Sequence, residues 1–551
     1  MTIFTAVLGL LAASASGSIP SKPNVLFILV DDLGHAELGY HRPAGYHEVM
    51  TPSIDALVAQ GINLDRHYVH KFCSPTRCAI QSGRAPIHVN VINAAPEVSN
   101  PDDPISGFAG MPRNMTGIAQ VMKRAGYATH FAGKWDVGMA TPTHTPVGRG
   151  YDTTLHYFHH SNDYWTFKDG GHGCSNVDFW NKYGNVSAPY GQPAASKVNT
   201  LGCTQESQKG WQNCVYEDDH FTQRVTDVIR GNGKGPDADP FFVFWATHIV
   251  HGPLQVPDAQ FAKFSFIDNK QRQLYHSMVN YIDTAIGEVV AVAKAFDHWD
   301  NTLVIFSADN GGPLPAGNNY PLKGGKFSNW EGGIRVNAFV SGGILPQSVK
   351  GTTSTQLVAG WDWYATLAAL AGEDPTDHAA AAAGLPPIDS HNLAPMIFGE
   401  NATSPRTRLE IGSNVGGDEA NRTSGATVVG GIIRPPYKIV VGDGPGNVLD
   451  NVCWPGPESP NNTGSCNSDN RTQVCARTPE TGCLFDVWKD PGEHVNLASS
   501  MPELFKSMLA EMDQVQTTVF SPERGANNPA ACDAAKKYGG FWGPFIDVNV
   551  E

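Results

Sequence analysis

Several stretches of this chain carry side chains suited to metal-assisted or nucleophilic chemistry. Asp31-Asp32 is an adjacent carboxylate pair, and Asp309-Asn310 is a second oxygen-rich pair far along the chain. Together they offer only oxygen ligands, which suit Ca²⁺ or Mg²⁺ and not zinc. His248 and His251 lie close together, and Cys73 opens the string Cys73-Ser-Pro-Thr-Arg77, with Gly83-Arg84 after it. Each has a plain structural meaning taken alone. The carboxylate pair caps a helix, Asp309-Asn310-Gly311-Gly312 makes a tight turn, the histidines sit in a loop, and the cysteine forms a disulfide.

The elements that must position them favour a common location. VLFILV (25–30), FFVFWAT (241–247) and TLVIFSA (302–308) are unbroken apolar runs, the pattern of strands buried on both faces of a parallel sheet. They end respectively in Asp31-Asp32, in the segment His248 to His251, and in Asp309-Asn310. Ligands in open α/β sheets gather at the carboxyl ends of such strands. Helices are predicted between them: SIDALVAQ after Thr51-Pro52, NMTGIAQVMKRAGY up to Gly126, and YIDTAIGEVVAVAKAF. Alternating strands and helices imply an α/β layered domain. The alanine-rich stretch 379–383 before GLPP reads as a surface loop. Near 400 the character changes to dense cysteines, sequons and short strands such as GATVVGGIIR and YKIVVG, then a late helix over ELFKSMLAEMDQVQTTV. The predicted division is a signal peptide at 1–17, a catalytic domain at 18–403 and a smaller α+β domain at 404–551.

Bulk properties bound the function. At 551 residues, 41% hydrophobic and 17% charged, the chain is globular and long enough for two domains. Its net charge of −15 argues against a nucleic-acid partner and requires local cations wherever an anion binds. The opening MTIFTAVLGLLAASASGS has an apolar stretch and an A-x-A pattern at Ala13 and Ala15, as in a secretory signal, although it lacks a basic n-region. No later run reaches the roughly 20 apolar residues of a membrane span. Sequons at Asn114, Asn185, Asn401, Asn421, Asn461 and Asn470 fit secretion or a lysosomal destination. Most of the ten cysteines should then pair, with connectivity open; if Cys73 is consumed chemically, nine remain and at least one stays unpaired.

The string C-S-P-T-R resembles the C-x-P-x-R modification motif of the type I, formylglycine-dependent sulfatase family. The strings PNVLFILVDDLG, KRAGYATHFAGKW, HGPLQVP, FSADNGG, NNYPLKGGKFSNWEGGIR and LFDVWKDPGEHVNLA resemble segments of arylsulfatase B-like enzymes, in the family's order. The resemblance implies an alkaline-phosphatase-like fold, α/β with a mixed, largely parallel sheet flanked by helices, and the smaller C-terminal α+β domain. It implies Cys73 oxidised to formylglycine by a formylglycine-generating enzyme. One Ca²⁺, with Mg²⁺ as the alternative, would be held by Asp31, Asp32, residue 73, Asp309 and Asn310. Arg77, Lys134, His251 and Lys326 align with residues that hold the nucleophile or the sulfate. The implied substrates are sulfated carbohydrates and, artificially, aryl sulfates.

One position departs from the pattern. The family usually reads G-K-W-H-x-G, whereas this chain reads Gly133-Lys134-Trp135-Asp136-Val137-Gly138. Asp136 thus stands where the family places the base that regenerates the aldehyde. A carboxylate also accepts protons, so altered kinetics are expected rather than loss of turnover. The competing readings are a phosphoester hydrolase of the same fold, against which the cysteine motif argues, and a sulfatase-like protein with weak or no turnover. Substrate choice should lie in loops at 140–215, where HYFHHSNDYW can stack on a sugar or simply pack.

Overall fold

The computed structural model describes residues 19–547, apart from 21, 170–173, 184–187, 195–203, 207–209, 234–238, 315, 413–428, 443–448, 451–453, 458–471 and 474. The signal segment, Cys203, Cys453, Cys466, Asn185, Asn421, Asn461 and Asn470 lie outside the described residues. Ten strands form the main sheet: β1 (Asn24–Val30), β2 (Ile62–Leu64), β3 (Ala128–Lys134), β4 (Thr153–Tyr157), β5 (Trp180–Lys182), β6 (Gln192–Pro193), β7 (Phe241–Ala246), β8 (Thr302–Ala308), β9 (Ala338–Ser341) and β10 (Thr352–Ser354). Their order is β6-β5-β4-β3-β7-β1-β8-β9-β2-β10. The central β4, β3, β7, β1 and β8 are parallel, and antiparallel neighbours flank them on both sides.

The unbroken apolar runs are explained by cover on both faces. Val25, Phe27 and Leu29 of β1 join one core with Phe242, Phe244, Leu303 and Ile305. Leu26, Ile28 and Val30 join a second with Val243, Trp245, Val304 and Phe306. Phe27, Phe244 and Phe131 stack across three adjacent strands, with centroids 4.6 and 5.7 Å apart. Helices α1 (Pro52–Ala59), α4 (Glu217–Gly231) and α5 (Lys270–Ala295) cover the second face. Helices α2 (Cys73–Ser82), α3 (Ile118–Arg124) and α6 (Asp362–Ala371) cover the first. The long helix begins at Lys270 and not at Tyr281: Asn269 caps it, and Tyr275, Met278, Val279 and Ile282 extend its buried face toward the N-terminus. The alanine-rich stretch is not a loop but the helix His378–Ala382. Asp377 accepts from Ala380 N at 3.1 Å, and alanine is the strongest helix former.

A second, antiparallel sheet joins β11 (Leu409–Glu410), β12 (Val429–Arg434), β13 (Tyr437–Gly442) and β14 (Cys483–Asp486) in that order. Phe505, Met508 and Met512 of α7 (Pro502–Gln516) pack on it. The chain then returns to the large core, where Ala531, Ala535 and Trp542 are buried and Cys532 is bonded to Cys174. Cys475 bonds Cys483, whereas Cys73 and Cys78 are free and buried. Among the described residues no helix is long and apolar enough to cross a membrane.

A buried charge network ties the second sheet to the segments at 68 and 331. Lys438 Nζ on β13 lies 2.9 Å from Glu331 Oε1 and 2.9 Å from Glu493 Oε1, and Tyr68 Oη donates to Glu331 Oε2 at 2.8 Å. Burial pushes the Glu493 carboxyl up to about 7, with Glu331 adding to it and Lys438 opposing. A carboxyl raised in the folded state stabilises fully below its ordinary value of 4.5, and that contribution is lost as pH rises through about 7. Glu493→Gln should therefore flatten the fall in Tm between these pH values. An unchanged slope in a melting series would show that Glu493 does not titrate in this window.

Candidate active site

β1, β7 and β8 deliver their polar ends to one edge, and the backbone locks them there. Asp31 N donates to Ile249 O at 3.0 Å, and Asp309 N donates to Val30 O at 3.1 Å. β3 adds Lys134 beside them. Gly133, at φ +110°, lets the chain approach β7 closely, since a Cβ there would lie 1.6 Å from Ala246 O.

The spacing of Cys73-Ser-Pro-Thr-Arg77 is a helix-start pattern. Cys73 is the first residue of α2, and Pro75 falls in the first turn, where no N–H needs an intrahelical partner. Arg77, one turn on, shares the face of Cys73. Gly83 ends the helix at φ +69°, and a Cβ there would meet the Tyr364 ring at 2.6 Å. Cys73 Sγ is thereby held 3.5 Å from Asp31 Oδ1. Asp31, Asp32, Cys73 and His251 each place one potential ligand atom within 4.8 Å of the others.

Carboxylates and cations alternate through the site. Lys134 Nζ lies 2.7 Å from Asp31 Oδ2, and Lys326 Nζ lies 2.6 Å from Asp32 Oδ1. Arg77 Nε and Nη2 both donate to Asp309 Oδ2, at 3.0 and 2.8 Å, while Nη1 donates to Lys134 O at 2.9 Å. Burial alone would raise the Asp31 carboxyl, but Lys134, His251 and Arg77 hold it below its ordinary value. Burial and Asp31 push Asp309 up, and the same two causes push the Cys73 thiol well up. Local cations have thus been concentrated inside a strongly acidic protein, as an anionic ligand requires.

The donor set fits a hard cation. Asp31, Asp32 and Asp309 converge, and Asn310 Nδ2 lies 2.7 Å from Asp32 Oδ1. Asn310 Oδ1 is fully buried without a hydrogen-bond partner, and the amide turned over would present it, in place of Nδ2, as an acceptor for such an ion. Asp32 adopts φ +57°, a left-handed conformation that aspartate tolerates. Its carbonyl accepts a hydrogen bond of 2.5 Å from Tyr275 Oη.

The structure brings all nine sequence-selected residues to this edge, and it separates the two histidines. His251 Nε2 is 3.8 Å from Asp32 Oδ2, whereas His248 Nδ1 is engaged by Glu217 Oε2 at 2.7 Å in a fully buried pair. Burial, with Lys326, keeps the His251 imidazole below its usual value. Sequence reasoning missed His160. Its Nδ1 lies 2.9 Å from Asp136 Oδ1, and Asp136 Oδ2 is 3.8 Å from Lys134 Nζ. The only signal was the histidine-rich HYFHHSNDYW, which does not disclose which imidazole faces Asp136. Most of that string is packing. Tyr157 and Phe158 are buried, and Tyr164 stacks on His248 at 3.8 Å while its hydroxyl donates to the carbonyls of His248 and His251.

Comparisons with known proteins identify the family. The Sulfatase family model matches residues 23–373. Arylsulfatase J of Mus musculus is 29% identical over 95% of this chain and 80% of its own length. N-acetylgalactosamine-6-sulfatase of Homo sapiens is 29% identical over 70% of this chain and 67% of its own length. Among solved structures, Ps i-CgsB in complex with k-i-k-neocarrahexaose superposes with a TM-score of 0.66 at 24% identity, covering 94% of this chain and 98% of that one, and supports the fold. The chain belongs to the sulfatase family, with its alkaline-phosphatase-like fold, and is a sulfuric ester hydrolase.

Proposed function

We propose that residue 73 works as formylglycine, made from Cys73 by a formylglycine-generating enzyme, in hydrolysis of sulfate esters of carbohydrates. The observation that carries this is the free thiol of Cys73, buried at a helix start and 3.5 Å from Asp31, in a chain where other cysteines are paired. One calcium ion, with magnesium as the alternative, would be held by Asp31, Asp32, Asp309, Asn310 and residue 73. Bound there, it supplies positive charge that favours an ionised hydroxyl and stabilises the sulfuryl oxygens.

The remaining roles fall to the chain's own side chains. One hydroxyl of the hydrated residue 73 attacks sulfur, and the ester's S–O bond breaks. Lys134 and Lys326 face the charge that builds on sulfur's oxygens, and Arg77 fixes Asp309 behind them. His251 or Lys326 gives the departing alcohol its proton. Asp136, oriented by His160, takes the proton of the second hydroxyl as the aldehyde re-forms and sulfate leaves. The relative named N-acetylgalactosamine-6-sulfatase supports a sulfated sugar as substrate. The exposed sequons at Asn114 and Asn401 support a glycosylated, secreted or lysosomal protein.

Mass spectrometry of the peptide carrying residue 73, from native material, should find the aldehyde. Only unmodified or disulfide-bonded cysteine would remove the nucleophile. A panel of sulfate and phosphate esters should give turnover of the sulfates alone, lost with a chelator and restored by calcium. Equal turnover of phosphates would favour a phosphoester hydrolase.

A further inference from the structure

A second group of ligand-type side chains lies apart from the acidic edge. Glu97, His159 and Asp169 each place one ligand atom within 4.8 Å of the other two. Glu97 and His159 are buried, and Asp169 is nearly so. Three separate segments supply them. Glu97 precedes the strand Val98–Ser99, which pairs with Ala526–Asn527. Asp169 ends the strand Lys168–Asp169, which pairs with Asn176–Val177. His159 follows β4, and its ring packs on Trp542 at 4.9 Å.

The distances distinguish the two nitrogens of His159. Nδ1 lies 2.7 Å from Asp178 Oδ2, a short charge-assisted hydrogen bond. Asp178 is fully buried and is itself fixed by Phe158 N at 2.9 Å and His159 N at 2.8 Å. Nε2 faces two carboxylates at longer range, 3.2 Å to Glu97 Oε1 and 3.6 Å to Asp169 Oδ2. Charge-assisted N–H···O bonds close to about 2.7–2.9 Å, and one N–H cannot point at both oxygens. Ligands of a tetrahedral cation with bonds of about 2.0–2.1 Å stand about 3.3–3.5 Å apart. The Nε2 contacts, 3.2 and 3.6 Å, lie within about 0.1 Å of that spacing on either side. A carboxylate holding the other ring nitrogen is the usual support of a metal-bound histidine, because it fixes the tautomer with the Nε2 lone pair outward.

We propose that Glu97, His159 and Asp169 bind a divalent transition-metal cation, zinc foremost, at a site separate from the catalytic one. An imidazole with two carboxylates is a borderline donor set that suits zinc, whereas the all-oxygen catalytic set suits calcium. The cation ties the segments at 97, 159 and 169 together. It also anchors the residue next to His160, which holds Asp136.

Metal analysis of the full-length protein tests this without using activity. The chain is stripped with a chelator, dialysed against calcium and zinc, and passed through a desalting column. It should keep one zinc ion. Glu97→Gln and His159→Gln should each lower zinc content more than tenfold with calcium content unchanged, and Asp178→Asn should weaken zinc affinity about 10–100-fold. Cobalt in place of zinc should give the intense visible absorption of a four-coordinate site, lost in Glu97→Gln. Wild-type protein that retains no zinc would leave His159 as an imidazolium clamped by carboxylates, and the proposal fails. It fails equally if folded Glu97→Gln and His159→Gln both keep the zinc.

Discussion

Arg77→Ala should lower kcat on a sulfate ester by about 10–100-fold, the usual cost of removing a group that fixes a metal-binding carboxylate from behind. It should also destabilise the fold by about 3–5 kcal/mol, because it strands a buried carboxylate. Both effects follow from one position. The guanidinium spends two N–H groups on Asp309 Oδ2 and a third on the Lys134 carbonyl, and its Nη2 is 3.5 Å from Asp31 Oδ2. Without it, Asp309 faces Asp31 across a buried gap, and its carboxyl, already raised by burial and Asp31, gains protons more readily. A protonated Asp309 is a poorer ligand for a cation. Arg77→Lys keeps the charge but not the fork, so it should fall between the two. Steady-state kinetics with 4-nitrophenyl sulfate and a melting curve separate the contributions. If Tm falls while kcat stays within twofold, Arg77 is only a brace.

Asp136→Asn should lower kcat by about 10²–10⁴, the range for a lost general base. Release of 4-nitrophenol should become biphasic, a rapid first turnover and a slow remainder, because only the second half of the cycle needs this base. His160→Ala should act on pH dependence. Burial would raise the Asp136 carboxyl, but His160 above all, then Lys134 and Arg77, hold it below its ordinary value. A base works ionised, so a lowered carboxyl extends activity toward acid. Removing His160 takes away the strongest lowering influence, and the acid limb of kcat should move to higher pH while the alkaline limb stays. An acid limb unmoved in His160→Ala would show that the contact is only packing. The same contacts offset the negative charge that Asp136 brings beside an anionic substrate.

Much of this was legible in the chain itself. Apolar runs with no alternation announce strands covered on both faces, and β1, β7 and β8 are such strands. In a parallel sheet their carboxyl ends share an edge, so Asp31, Asp32, Asp309 and Asn310 could be grouped before any contact was known. The helix that sets Arg77 one turn from Cys73 was not among those read from the sequence. The misreadings were local. The 379–383 segment lacks an apolar face, and alanine propensity with the Asp377 cap decides it. The apolar face of α5 continues upstream through Tyr275, Met278 and Val279 to a cap at Asn269, beyond the helix start read from the sequence.

Sequence order and side-chain type determined the family, the sheet, the grouping of Asp31, Asp32, Asp309 and Asn310 at one edge, and the departure at Asp136. Tertiary structure alone decided which histidine serves which carboxylate. His248 and His251 are equivalent as residues, but one is drawn to Glu217 on α4 and the other to Asp32. His159 and His160 are neighbours in sequence, yet they point into different clusters, one to Asp178 and Glu97 and the other to Asp136. The physical reason is common to both cases. Backbone pattern fixes where a residue lies along an element, whereas the partner of a polar side chain depends on groups brought close from remote segments, whose distances no local signal encodes.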